Sequence, residues 1–390
     1  MYMKFYILVL FSMLILPVFS QCALSVTNTA DSGPGSFRQA IISANACTGA
    51  PTITFSIPSN SIINLLSDLP ALTHANTNIN GTTAPGYQYP NSMVTLVWPG
   101  LDDCIQINSG NNIIVRGLTF TDNFLGNGDG AFRVQGGNNL LIQYCKSYKS
   151  RKNLVRVQGG TNARIDYCTI QDFWYNNGDS QKGIEVNSGS LIQVSNCNIQ
   201  SLSKRFFEMN NSASGGTNSK VSIYNNILNN VGYGDSVLCG NLPCGMNKGE
   251  HVIACYTSHT AVFSIRSNTL NGTFSKFAEL INTKSLNGAG PRDSVYNNSI
   301  YNCRGQHTIY IEMNNNSPAA PAGQVYGGIV VLNNQFVGDG PNTYNVDQVI
   351  EIGGWSNNYS NALIAGNTIR NYHGRGIMFR YTDKIGRAHV

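Results

Sequence analysis

Eight apolar–X–apolar triplets each set a residue capable of chemistry between two apolar neighbours. In chain order, X is Gln106, Arg133, Arg156, Glu185, Glu208, Glu279, Glu312 and Glu351. Side chains alternate across an extended strand, so X faces outward wherever its neighbours face a core. The residue two further on shares that face and is mostly an amide: Asn108, Gln135, Gln158, Asn187, Asn210 and Asn314. Only 12% of the chain is charged, so chance would rarely fill every one of these X positions with a polar group. Two carboxylates on adjacent strands repel, so Glu185 beside Glu208, and Glu279 beside Glu312, call for a cation, a shared proton or a function. Calcium suits carboxylate and amide oxygens. Carboxyl pairs one or two strands apart also match the separations that glycoside hydrolysis uses. The candidate catalytic groups are therefore Glu185, Glu208 and Glu312, and the candidate calcium ligands are Glu279 and Glu312. Arg133, Arg156, Asn187, Asn210 and Asn314 are candidate binding groups. The plainer reading is a solvated sheet whose outward positions must be polar, with Arg156 and Glu185 as an ordinary cross-strand ion pair.

Such columns need an element that returns to the same place again and again, and the chain carries one. A phrase of alternating apolar residues, a small polar pair and another apolar residue recurs from Val115-Arg116-Gly117-Leu118 to Ile364-Ala365-Gly366-Asn367. Its turn position is occupied in order by Leu118, Cys145, Cys168, Cys197, Asn226, Asn268, Asn298, Asn334 and Asn367. A fixed phrase at variable spacing is the mark of a solenoid, whose loops can vary while its strands cannot. Stacked Asn amides can bond from coil to coil across about 4.8 Å. Buried Cys fills the same slot as a small hydrophobe, so Cys145, Cys168 and Cys197 are expected as free thiols. Cys22 with Cys47, and Cys239 with Cys244, are the candidate disulfides. The expected fold is all-β: a right-handed parallel β-helix over residues 51–383, behind an N-terminal cap at 21–50.

Both ends are read separately. Residues 1–20 hold one lysine, an apolar run and small residues before Gln21, the pattern of a secretory signal peptide. The run is short and breaks at Pro17, so no transmembrane segment is expected. Residues 384–390 read as a non-native, adapter-like tail, which implies that the natural chain continues beyond Asp383. Setting aside Lys4, Lys384 and Arg387 lowers the formal net charge from +5 to +2, which offers nothing to draw a nucleic acid. Gly-Asp pairs such as Gly178-Asp179 lie in the loops, and Trp174 and Tyr175 beside them offer flat faces for sugar rings. The histidines show no metal-ligand spacing, and no cofactor is required, calcium being the one candidate.

The segment Val26-Thr27-Asn28-Thr29-Ala30-Asp31-Ser32-Gly33-Pro34-Gly35-Ser36-Phe37-Arg38-Gln39-Ala40-Ile41 resembles the opening of bacterial secreted right-handed β-helix proteins of the pectin-lyase-like superfamily. Asn80-Gly81-Thr82-Thr83-Ala84-Pro85-Gly86-Tyr87 resembles the block that follows. The resemblance implies the fold and export to the medium or the outer cell surface. It says little about activity, since that superfamily holds lyases, hydrolases, tailspikes and adhesins. Physically, Ser36–Ala46 has helical character and would cover the open edge of the first coil. A second resemblance, around Glu279-Leu280-Ile281-Asn282-Thr283-Lys284 and on to Gly305, is to the chondroitinase B and alginate lyase family. It implies Glu279 as a calcium ligand and Lys284 as a proton-abstracting base. The chain departs from that family in carrying Glu312 where an Arg is expected and in an insertion at 286–294. The functional expectation is a monomer that engages extracellular or cell-wall polysaccharide on its charged sheet. The alternatives are a polysaccharide lyase or glycoside hydrolase, and a structural adhesin shaft.

Overall fold

The computed structural model describes residues 22–99, 102–122, 130–150, 152–173, 182–202, 204–211, 220–232, 251–257, 262–272, 276–281, 293–302, 307–313, 326–338, 348–354, 360–372 and 374–380. The proposed signal peptide and tail, Cys239, Cys244, Trp174, Tyr175, Lys284 and Asn314 lie outside these residues, as does the side chain of Glu312.

Each coil contributes one strand to each of three sheets, of twelve, eleven and ten strands, and all strand pairs within them are parallel. One coil runs from Asn138–Gln143 through Lys146–Tyr148 to Val155–Val157, then returns to Thr161–Asp166 beside its own start. This is the right-handed parallel β-helix. Alternation explains it locally: Ile142, Ile165 and Val194 stack inward without exposure, while Gln143 and Arg164 between or beside them face out.

The corner between the twelve- and eleven-stranded sheets is tight and repeats one device. A residue in the left-handed region turns the chain, and the next residue points into the core. The turning residues include Gly117, Asn196, Asn225, Ser267, Asn297 and Asn333, with φ between 53° and 75°. The core residues form the ladder expected from the sequence. Nδ2 of Asn226, Asn268, Asn298 and Asn334 donates to Oδ1 of the next Asn at 2.9, 3.0, 2.9 and 2.9 Å. Each also donates to a backbone carbonyl, as Asn298 does to Ile265 O at 3.0 Å. The ladder continues downward into Cys197, whose N–H donates to Asn226 Oδ1, and then into the free thiols of Cys168 and Cys145. Burial pushes the Cys145 and Cys168 thiols far up, so they stay protonated and unreactive.

The base is capped as expected. Helix Phe37–Asn45 starts at Ser36, whose hydroxyl accepts from Gln39 N, and it buries Phe37, Ala40, Ile41 and Ala44. Gly35, at φ 78°, lies so near Thr27 and Asn28 that a Cβ would collide with their side chains. Arg38 then pins the helix to Asp31 at 2.6 Å and to the Ser67 carbonyl. Cys22 and Cys47 form a disulfide across the same cap.

Two consequences follow for stability. Replacing Asn298 by Ala strands buried partners on both neighbouring coils, so denaturant unfolding should show a loss of about 2–4 kcal/mol. Asp293 is buried, accepts Phe263 N at 2.8 Å, and has its carboxyl pushed up to about 7 by burial. Its contribution to stability is whole below the unfolded value near 4 and is lost as the pH rises to about 7. Melting temperature measured across that window should fall with pH, and Asp293→Asn should flatten the fall.

Candidate functional site

The ten-stranded sheet carries the charged column. Its register reads Gln106, Arg133, Arg156, Glu185, Glu208, Ala254, Glu279, Tyr310, Glu351 and Met378 across successive strands. The first five positions match the sequence expectation. Beyond Glu208 the expectation needs correcting. A coil at His251–Thr257 intervenes with Ala254 in the column, and Glu312 is not in the column at all. Glu312 pairs with Ile281 and Gly353, while the neighbour of Glu279 is Tyr310. The reason is that Ile309-Tyr310-Ile311 and Ile311-Glu312-Met313 are equally good apolar–X–apolar frames. The stacking of Ile309 on Ala278 and Ile311 on Leu280 selects the first. Glu279 and Glu312 are therefore not directly opposite one another, and Tyr310 stands where the sequence reading put the second carboxylate.

Glu185 and Glu208 are neighbours, as expected, but a side chain of the protein itself supplies the cation. Lys182 Nζ lies 3.1 Å from Glu185 and 2.5 Å from Glu208, and Arg205 holds the other Glu208 oxygen at 2.5 Å. Asn153 Nδ2 donates to Glu185 at 2.7 Å. Arg156, expected to pair with Glu185, instead reaches across to the fully buried Asp103 at 2.8 Å. Asp103 also lies 3.6 Å from Arg133, which makes a second ion pair with Asp102 at 2.8 Å. Further up, Tyr256 donates its hydroxyl to Glu279 at 2.5 Å, and His251 Nδ1 lies 3.1 Å from the same oxygen. Burial alone would raise the Glu279 pKa. The bond and charge of His251, the Tyr256 hydroxyl and the Arg205 charge outweigh it and hold the group at about 2. Burial and then the Glu279 charge push the Tyr256 phenol strongly up, despite Arg205 nearby.

The groups that the sequence reading missed share one position. Asp103, Asn153, Lys182, Arg205 and His251 each stand three residues before the column position of their own coil. Asp103, Asn153, Lys182 and Arg205 stand just before their strands and His251 opens its own, so these side chains reach from the entry of the sheet and tie one coil to the next. The row was readable by spacing, since Lys276, His307, Gln348 and Arg375 stand three residues before the later column positions in the sequence. The consequence is unusual burial. The charged groups tied over this sheet retain 7–29% side-chain exposure, and Asp103 none, while on the twelve-stranded sheet Arg164 keeps 48% and its partner Asp166 none. Asn210 remains exposed and Asn187 half-buried in the amide column beside them. Among the described residues no cluster of three His, Cys, Asp or Glu is arranged to hold a metal ion.

This arrangement defines a class of protein: a right-handed parallel β-helix with one interlocked polar face. No family model matches the chain, and no curated protein does either. Solved structures do. The catalytic domain of a GH87 alpha-1,3-glucanase in complex with tetrasaccharides superposes with a TM-score of 0.57 at 13% identity, over 94% of this chain and 66% of that one. An alginate lyase from Paenibacillus sp. superposes with a TM-score of 0.51 at 12% identity, over 94% of this chain and 99% of that one. The chain thus spans just under two thirds of the glucanase domain and nearly all of the lyase. The fold that they share with this chain is the right-handed parallel β-helix.

Removing Lys182 tests whether the network is as tightly coupled as its distances imply. Lys182→Met leaves two facing carboxylates, and denaturant unfolding should show a loss of about 1–3 kcal/mol, reduced from the fully buried case by partial exposure. Adding Glu208→Gln should restore part of that loss.

Proposed function

We propose that this protein binds polysaccharide along the outer face of its ten-stranded sheet. The observation that carries the reading is the interlocked row over that sheet, where Lys182, Arg205, Asp103 and His251 hold Glu185, Glu208, Arg156 and Glu279 in place. Groups already fixed by their neighbours need little ordering when a ligand arrives, which favours binding to a preformed surface. The exposed Asn210 and half-buried Asn187 supply amide donors and acceptors suited to sugar hydroxyls. Two solved β-helices of similar fold are a glucanase catalytic domain in complex with tetrasaccharides and an alginate lyase, which points the same way. The Cys22–Cys47 disulfide and the N-terminal apolar run support export to the cell exterior. Among the described residues no helix is long and apolar enough to cross a membrane.

A second reading, proton abstraction by an eliminating enzyme, is favoured by one cluster. Tyr256 and His251 meet on the Glu279 carboxylate with Arg205 alongside, so an imidazole able to accept a proton and a charge-neutralising guanidinium stand together. Glu185 and Glu208 are poor candidates for acid–base work, since both are bound to Lys182.

Affinity electrophoresis in gels containing alginate, polygalacturonate or soluble β-glucan, with and without calcium, tests the first reading. The protein should be retarded by at least one polymer, and Asn187→Ala with Asn210→Ala should weaken that retardation about tenfold. No retardation in any gel would overturn it. Growth of unsaturated-uronate absorbance in the same mixtures, abolished by His251→Ala, would instead establish the eliminating enzyme.

A further inference from the structure

We infer that the protein carries a second polysaccharide-binding site on the corner opposite the ten-stranded sheet, formed by Tyr144 and Tyr167. The site is separate from the face described above and does not depend on it.

At this corner the turning residue of each coil has positive φ, and the chain fills the position in order with Gly117, Tyr144, Tyr167, Asn196, Asn225, Ser267, Asn297, Asn333 and Gly366. Gly and Asn tolerate the left-handed region, whereas a bulky side chain there is a genuine outlier. Tyr144 and Tyr167, at φ 52° and 50°, break the pattern on two consecutive coils. Strained residues of this kind concentrate where a surface binds or reacts.

The two rings serve one another. They stack at 5.3 Å between centroids and 27° between planes, and Tyr89 meets Tyr144 edge-on at 5.5 Å. Tyr89 is anchored from the other side by its hydroxyl bond to Thr169 at 2.8 Å. The stack is thus supported from below and ends at Tyr167, which is 43% exposed. Hydrogen-bonding groups stand on the strand Thr161–Asp166 that leads into Tyr167. Arg164 keeps 48% of its side chain in solvent while one nitrogen holds the buried Asp166 at 2.8 Å, and Asp166 also draws in Gln143, Ser195 and Asn196.

A flat, rigid phenol with a polar tip, with a half-free guanidinium and an amide on the strands leading into the stack, matches the two kinds of surface on a pyranose ring: an apolar face of C–H groups and an equatorial rim of hydroxyls. Arg164 is already neutralised by Asp166, so it offers hydrogen bonds to a rim of hydroxyls or to a ring carboxylate alike. The ligand is therefore a pyranose unit of a polysaccharide chain, and its charge is left for the experiment to read.

Position 167 permits a clean test, because the later coils show Asn in the same place. Tyr167→Asn removes the platform while giving the backbone a residue it prefers, and Tyr167→Phe keeps the ring. Affinity electrophoresis in soluble β-glucan and in alginate should show the wild type retarded by one or both polymers. Tyr167→Asn should weaken that retardation about threefold to tenfold, Tyr167→Phe should retain it, and the melting temperature of Tyr167→Asn should be equal or higher. Retardation by β-glucan alone identifies a neutral ring as the ligand, and by alginate alone an acidic one. Equal retardation of wild type and Tyr167→Asn, no retardation in either gel, or a lower melting temperature for Tyr167→Asn would each overturn the inference. Loss of binding on Asn187→Ala and Asn210→Ala with no change on Tyr167→Asn would overturn this site while leaving the ten-stranded sheet as the binding face.

Discussion

Parallel strands about 4.8 Å apart leave no room for anything between one coil and the next. Every side chain in this protein therefore meets its counterpart above and below before it meets anything else. Apolar residues satisfy that constraint easily. A polar residue satisfies it only if it can donate on one side and accept on the other, and a carboxamide is the neutral side chain that does both. Five Asn residues in succession bond this way through the core, each also filling a backbone carbonyl, while the lower coils resolve the same corner with buried thiols that ask for little.

The same constraint acts on the outer face with the opposite sign. A carboxylate stacked on a carboxylate is unfavourable, and Glu185 over Glu208 is such a case. It is relieved from the side, by Lys182 reaching in from the incoming chain three residues earlier. Arg133 over Arg156 is the mirror case, relieved by Asp103 from the corresponding place. Charge on this sheet is thus compensated by the entry segment of each coil. The outcome is a floor of fixed charges nearly closed to solvent, with an amide column left open beside it.

Much of this was legible in the sequence, for reasons that also explain the failures. The ladder could be read position by position, because Asn226, Asn268, Asn298, Asn334 and Asn367 each follow a turn residue and precede an apolar strand. The cap was legible from Gly33, Gly35 and Ser36, whose positive φ and helix-capping roles depend on residue type. The charged column was legible only while coils were short. At Ile309–Met313 alternation fits two frames, and only contact with the preceding coil chooses between them, so Glu312 was placed in the wrong column. Tyr256 and His251 were missed because a long connection separates their coil from the previous phrase. Ala254 then stands where a polar residue was sought. Lys182 and Arg205 were overlooked because alternation directs attention to the strand, and they lie just before it.

The interlocking also decides which chemistry the face can support. A general acid or base must exchange a proton with its substrate, and a carboxylate held by a lysine and an arginine has little freedom to do so. Glu208 is in that position, and Glu185 shares the same lysine. Glu279 differs in kind. Its partners are His251, whose imidazole can exchange a proton, and Tyr256, whose phenol stays protonated and donates to it, and they hold its own carboxyl down at about 2. Any proton exchange on this sheet would therefore fall to the histidine, with the carboxylate orienting it. The acidic residues, which first draw the eye in the sequence, are the ones that the neighbouring cations, amides and phenol tie down.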